Sequence, residues 1–165
     1  MEHYKYGLFS KILYRYANII ATPILLIHLL SSIMIMLETW YFIFFALINS
    51  LIIIVLNKYY YKTYQNFPFE IFADNEKIIC RNFFLSKKSY EIKHVDISKI
   101  SGGFFSGWPT RPVYIHDKKN NVTIGFYSHV GNFQKLVTKI LQNVPQHLYN
   151  EIVDNLKKNR SEVKK

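Results

Sequence analysis

The chain has 165 residues and a formal net charge of +10, from 21 Lys and Arg against 11 Asp and Glu. Its lone cysteine, Cys80, excludes a disulfide framework and any multi-cysteine metal centre, and suits a reducing cytoplasm. The six histidines are scattered with no HExxH or paired spacing, so neither a metal nor a cofactor is expected.

Residues 3–17 come first. Phe9, Ile12, Leu13 and Tyr16 recur at helical spacing, with Lys11 and Arg15 on the other side. Two readings stand together. Residues 1–18 form an interfacial cytoplasmic helix among lipid headgroups, or an ordinary lead-in to a span. No small-residue cleavage pattern marks a removable signal.

The stretch from Ile19 to Leu56 is apolar, and Glu38 is its only charge. A helix needs about 20 apolar residues to cross a hydrocarbon core, and this stretch is about twice that. Two spans over 19–37 and 40–56, folded back at Glu38-Thr39 within a 19–57 hairpin, keep the acid out of lipid. Aliphatic residues occur all round both segments, which disfavours a buried soluble pair. Pro23 falls one turn in, where it is tolerated or kinks the helix. Trp40 and Tyr41 mark an outer interface, and Tyr59, Tyr60, Tyr61 and Tyr64 an inner one beside Lys58 and Lys62. The turn carries no base, so both termini are expected in the cytoplasm and the chain in an inner or plasma membrane, multi-pass. His28 and Asn49 lie equally far from the turn, near the bilayer midplane. They are expected to face each other or share a partner, with Ser31, Ser32 and Ser50 nearby. No acid is there to pair with His28, so helix glue is favoured over a proton or ion site.

Beyond Tyr64 the pattern turns to alternation. Strands are expected at Phe67–Ile71, Lys77–Phe84 and Ser89–Lys93, joined by turns at Asp74-Asn75-Glu76 and Ser86-Lys87-Lys88. Val95–Ile100 reads as a short turn or strand start, and residues 101–109 are rich in breakers and aromatics. Strands resume at Pro112–His116 and Val122–Tyr127. A helix capped by Asn132 follows, striped with Phe133, Leu136, Val137, Ile140, Leu141 and Val144. Pro145 leads into a second helix, about 146–158, and a disordered basic tail. The fold class is therefore α+β membrane protein: a transmembrane helical hairpin, then a small antiparallel β barrel or sandwich over 64–145 closed by a C-terminal helix, with 146–165 appended.

Two segments, FEIFADNEKIICRNFFLSKKSYEIKHVDISKI and VYIHDKKNNVTIGFYSHVGNFQKLVTKIL, carry a resemblance across residues 66–143. Their order of strands, turns and closing helix resembles the bacterial pleckstrin-homology-like domains that follow two membrane spans. The resemblance implies a lipid- or protein-binding module without catalytic residues. Phosphoinositide-binding relatives carry bases around the first hairpin turn, whereas this turn is the acidic Asp74-Asn75-Glu76, so that ligand is not implied.

The chemistry-bearing residues agree with a non-enzyme. Gly102, Gly103 and Gly107 are followed by no GK[ST] and do not open a helix, so no P-loop is formed. His116, Asp117 and His129 read as surface polar residues, and no nucleophile setting appears. Residues 101–109 read as a bent strand or long turn. A second reading lets Phe104, Phe105 and Trp108 dip into the membrane interface with Arg111 reaching a phosphate. Turn lysines Lys87, Lys88, Lys118 and Lys119 each add about 1 kcal/mol of attraction to anionic lipid wherever they face it. The expected role is a membrane-held scaffold or sensor that binds a partner protein or anionic lipid headgroups. The alternative is an accessory or immunity-type subunit of a membrane transporter or envelope stress system, acting through its spans. Membrane lipid and a partner membrane protein are the expected partners. Nucleic acid is not expected, and a homo-oligomer is left open.

Overall fold

The computed structural model describes residues 1–84, 86–106 and 110–163. The chain forms two units, Leu8–Tyr64 and a second made of Met1–Gly7 together with Gln65–Lys165.

The helical unit begins with α1 (Leu8–Lys11), passes through a π-helical turn (Ile12–Tyr16) into α2 (Ala17–Met36), and returns as α3 (Phe42–Asn66). Leu8–Met36 and Phe42–Asn66 are each long and apolar enough to cross a membrane. Only 6% of each apolar window is buried, so the aliphatic side chains point outward instead of into a core. The π turn lets Ala17 N–H donate to Ile12 O and leaves neighbouring carbonyls free. Two tyrosines of α3 take them up: Tyr60 Oη donates to Leu13 O at 2.9 Å and Tyr64 Oη to Arg15 O at 3.1 Å.

The β unit holds the main correction to the sequence reading. Residues 2–5 are not helical; they form strand β1 (Glu2–Lys5). Tyr4 and Tyr6 are 2% and 4% exposed while His3 and Lys5 face water, a period of two that ends where the helix starts at Leu8. β1 pairs antiparallel with β2 (Glu70–Ala73), from Glu2↔Ala73 to Lys5↔Glu70. Beyond the ladder, Tyr6 bridges to Val130, Gly131 N–H donates to Lys5 O at 3.0 Å and Tyr127 N–H donates to Tyr6 Oη at 2.8 Å.

β3 (Lys77–Arg81) and β4 (Tyr90–Lys93) complete a four-stranded sheet in the order β1-β2-β3-β4. A 3-10 turn, His94–Asp96, leads to a three-stranded sheet of β5 (Ile97–Gly102), β6 (Val113–Asp117) and β7 (Val122–Phe126), all antiparallel. The architecture is α+β with two separate sheets, and the closed-barrel option fails. The turn at 94–96 interrupts the ladder between β4 and β5, and the β5 register shifts between Ile97 and Lys99. β2 starts later than expected because α3 continues to Asn66 and Pro68 follows.

Helix α4 (Phe133–Asn143) lays Leu136, Val137 and Ile140 into the core, with Phe133 edge-on to Phe126 at 6.0 Å. Asn132 precedes it in the left-handed region at φ 55°, with no side-chain cap; its carbonyl accepts Leu136 N–H instead. α5 (Gln146–Val163) buries Leu148 and Ile152 and runs through most of the tail expected to be disordered. Leu148 and Ile152 anchor its first turns, and the exposed Asp154, Asn155 and Lys157 follow them.

His94 locks the turn between the sheets. It is 1% exposed; its N–H donates to Glu76 O at 3.0 Å and its Nε2 to Asp74 O at 2.9 Å, while its Nδ1 is buried without a partner. Burial pushes its pKa below the ordinary 6.5, and the Lys139 ammonium adds to that. A folded-state pKa below the unfolded value means that the neutral form stabilises the fold. That contribution is complete above about pH 6.5 and is lost as pH falls below it. The melting temperature should therefore drop between pH 7.5 and 5, and His94→Gln should flatten the drop in parallel thermal melts.

Candidate functional site

Polar side chains in the helical unit gather along the α2–α3 seam. Asn18 Nδ2 donates to Asn57 Oδ1 at 3.0 Å, Thr22 Oγ1 to Asn18 Oδ1 at 3.0 Å, and Asn57 Nδ2 to Thr22 Oγ1 at 3.1 Å. This closed triangle escaped the sequence reading, although Asn18 and Thr22 bracket the level of Asn57 by the same spacing that pairs His28 with Asn49. The structure brings those two together as well: Asn49 Nδ2 donates to His28 Nδ1 at 3.2 Å. Asn49 is buried in the seam, whereas His28 sits on its exposed flank. The hydroxyls of Ser31, Ser32 and Ser50 bond back to carbonyls four residues earlier, satisfying their own helices. Each cross-helix bond contributes roughly 0.6 to 2 kcal/mol. Glu38 is the only charge between Ile19 and Leu56, so the hydrogen bonds that join α2 to α3 here are all between uncharged side chains. On its outer side α3 carries an apolar furrow of about 400 Å³ lined by Leu51, Ile52, Val55, Leu56 and Tyr59.

In the β unit, Lys5, Glu70 and Arg81 share one rung on the solvent face of the four-stranded sheet. This is the sheet end from which the chain leaves through Gly7 and returns through Gln65. Arg81 lies 5.7 Å from the centre of the Phe72 ring, and His3 stacks on that ring at 4.3 Å. Glu70 is engaged by Asn82 Nδ2 at 3.1 Å. Lys87 and Lys88 are exposed in the β3–β4 connection, at the same end.

The other lipid-contact candidates do not join them. Lys118 and Lys119 are exposed, but Lys118 N–H donates to Asp96 O, so their turn is separated from Lys87 and Lys88 by the length of β4. Phe105 is 8% exposed and packs in the core among Ile100, Val113 and Val137, which removes it from any lipid-contact set. Phe104 is half-buried, edge-on to Phe133 at 5.9 Å. The aromatics fold inward because the turn Gly103–Ser106 reverses against β6, where Gly102 and Gly103 adopt positive φ. Arg111 is exposed, and Trp108 lies outside the described residues.

Several described titratable groups of the β unit are engaged in local contacts. Asp117 is fully buried and accepts Lys119 N–H at 3.0 Å and Asn120 Nδ2 at 2.6 Å, shaping its own turn. His116 Nδ1 pairs with Thr123 Oγ1 at 3.1 Å. Cys80 is buried, and burial pushes its thiol up to about 12, so it is no nucleophile. Glu2 is held at about 2 by hydrogen bonds from Tyr4, Lys135 and Lys139, a network that ties β1 to α4. Among the described residues no group of three or more His, Cys, Asp or Glu could hold a metal ion. No protein-family model, no curated protein and no solved structure matches the chain.

Proposed function

We propose that this chain is a membrane-anchored, non-catalytic, pleckstrin-homology-like module. Its β unit is held at the cytoplasmic face of a bilayer by the helical hairpin, and there binds anionic lipid headgroups or a partner protein. The observation that carries the reading is the pairing of β1 with β2 across the hairpin. Those strands flank the two apolar helices, so both outer helix ends must open on the same side of any membrane they cross. The hairpin then crosses twice, with Glu38 on the far side. Lys5, Lys11, Arg15, Lys58 and Lys62 flank the paired ends while the turn carries no base, which favours the cytoplasm for the paired side. A four-stranded and a three-stranded antiparallel sheet covered by α4 support the pleckstrin-homology-like reading. Lys5, Arg81, Lys87 and Lys88 at the sheet end nearest the helices in sequence support a contact with anionic headgroups.

Sidedness labelling tests the proposal. Full-length Glu38→Cys and Ser89→Cys variants are inserted in sealed vesicles and treated with a membrane-impermeant maleimide; the buried Cys80 adds little background. The two sites should label from opposite sides. The Ser89→Cys rate should fall several-fold when phosphatidylglycerol replaces part of the phosphatidylcholine. Labelling of both sites from one side rules out the double crossing, and a rate indifferent to lipid charge rules out the headgroup contact.

A further inference from the structure

We propose that α2 presents a self-association face to the bilayer, and that its occupant is a second copy of this chain. The inference rests on the reading that the two helices cross a membrane. Ile24, His28, Ser31 and Ile35 are all exposed and follow one another at spacings of four, three and four residues. That is the seam of a helix packing against another helix; it lies beside the seam that meets α3, which holds Asn18 and Ser32, and His28 borders both.

Two hydrogen-bonding groups on this face take opposite roles in these contacts. Asn49 Nδ2 can only donate, so His28 Nδ1 accepts and the ring proton sits on Nε2. That N–H has no partner among the described residues, and the ring is exposed. Ser31 spends its own proton on Ile27 O at 3.0 Å, which leaves the Oγ lone pairs as acceptors. A donor and an acceptor therefore lie one turn apart on one face, separated by about 4.5 Å of helix rise.

Acyl chains satisfy neither group, and an unmet N–H in hydrocarbon is unfavourable. A copy related by a twofold axis along the membrane normal brings the same residues to the same depth. Each His28 Nε2–H then donates to the partner copy's Ser31 Oγ, and the bond forms twice. The face is self-complementary and requires nothing beyond this chain. The small Ser31 also lets the two backbones approach closely.

The test uses the full chain, carrying donor or acceptor dye on a cysteine placed at Ser89, in phosphatidylcholine vesicles. Energy transfer should appear and fall on dilution into excess lipid. Ser31→Ala, which spares the His28–Asn49 bond, should raise the dissociation constant about 5- to 10-fold. Ser50→Ala, the back-bonded serine of α3, should leave it unchanged. Absence of transfer at any dilution, or Ser31→Ala equal to the parent chain, overturns the proposal. Ser31→Cys in native membranes should form a disulfide-linked species of twice the chain mass when copper–phenanthroline is added as the oxidant, and a cross-link to a protein of another mass overturns the choice of occupant. Alkaline carbonate extraction separates the two levels. A chain that stays in the membrane but is monomeric defeats only the self-association, whereas a chain that is extracted defeats the spanning reading.

Discussion

Residues 65–165 expressed alone are expected not to fold, whereas residues 1–7 joined to 65–165 by a flexible linker should give a soluble β unit that melts cooperatively. The difference lies in one strand encoded on the other side of the hairpin. β1 places Tyr4 and Tyr6 in the core, each with almost no exposed surface. Burying a large apolar side chain is worth roughly 1.5 to 3 kcal/mol, so their loss removes a large part of the 5 to 15 kcal/mol that holds a typical domain. Removing β1 also frees the edge of β2, which invites intermolecular pairing. It deletes Glu2 as well, the carboxylate that gathers Lys135 and Lys139 on α4. Lys5 and Glu70 are paired neighbours, so Gly7 and Gln65 need a bridge of only about eight Gly and Ser residues. Size-exclusion chromatography and near-ultraviolet circular dichroism melts report the outcome. A 65–165 fragment that is monomeric and melts like the linked form would show β1 to be dispensable.

Gly125→Val should be the most damaging single substitution in the β unit, lowering stability by about 2 to 4 kcal/mol and the melting temperature by roughly 10 to 20 °C. A Cβ at this position in β7 would lie 2.5 Å from Phe67 Cζ and under 3 Å from both Cε atoms. The Phe67 ring cannot swing away freely. It is buried, stacked on Tyr127 at 4.7 Å and edge-on to Tyr114 at 5.7 Å. Phe67→Leu in the same chain should recover part of the loss, because the two positions share one volume. Thermal melts of the linked β unit measure both variants. If Gly125→Val melts with the parent, Phe67 is not the constraint on that position.

The apolar helices were legible because nothing but lipid or a large interior rewards so long an uncharged run, and the fold at Glu38-Thr39 follows from a single carboxylate. The β hairpins were legible from turn residues: Asp74-Asn75-Glu76 joins β2 to β3, and residues 118–121 join β6 to β7. β1 was not. Its alternation lasts only from His3 to Tyr6, the helical spacing from Phe9 onward extends over it, and its ladder partner lies beyond both helices. The sequence leaves Phe105 open between a bent strand and a membrane-dipping loop, because an aromatic beside two glycines looks the same whether it turns inward or outward; packing against Val113 and Val137 decides it. Asn18, Thr22 and Asn57 carry no distinctive sequence signal, because Asn and Thr occur commonly near helix ends, while the fold uses them to join the helices.

The order of translation gives the β1–β2 ladder one more consequence. β1 leaves the ribosome early and then waits, extended and without a partner, until the Glu70–Ala73 segment follows the helices out. A polypeptide in which one of the two helices failed to insert would strand its opening segment across the bilayer from the rest of the sheet. In the proposed double-crossing topology, completion of the sheet would therefore report correct threading, and a misthreaded chain would be left with an unpaired β2 edge.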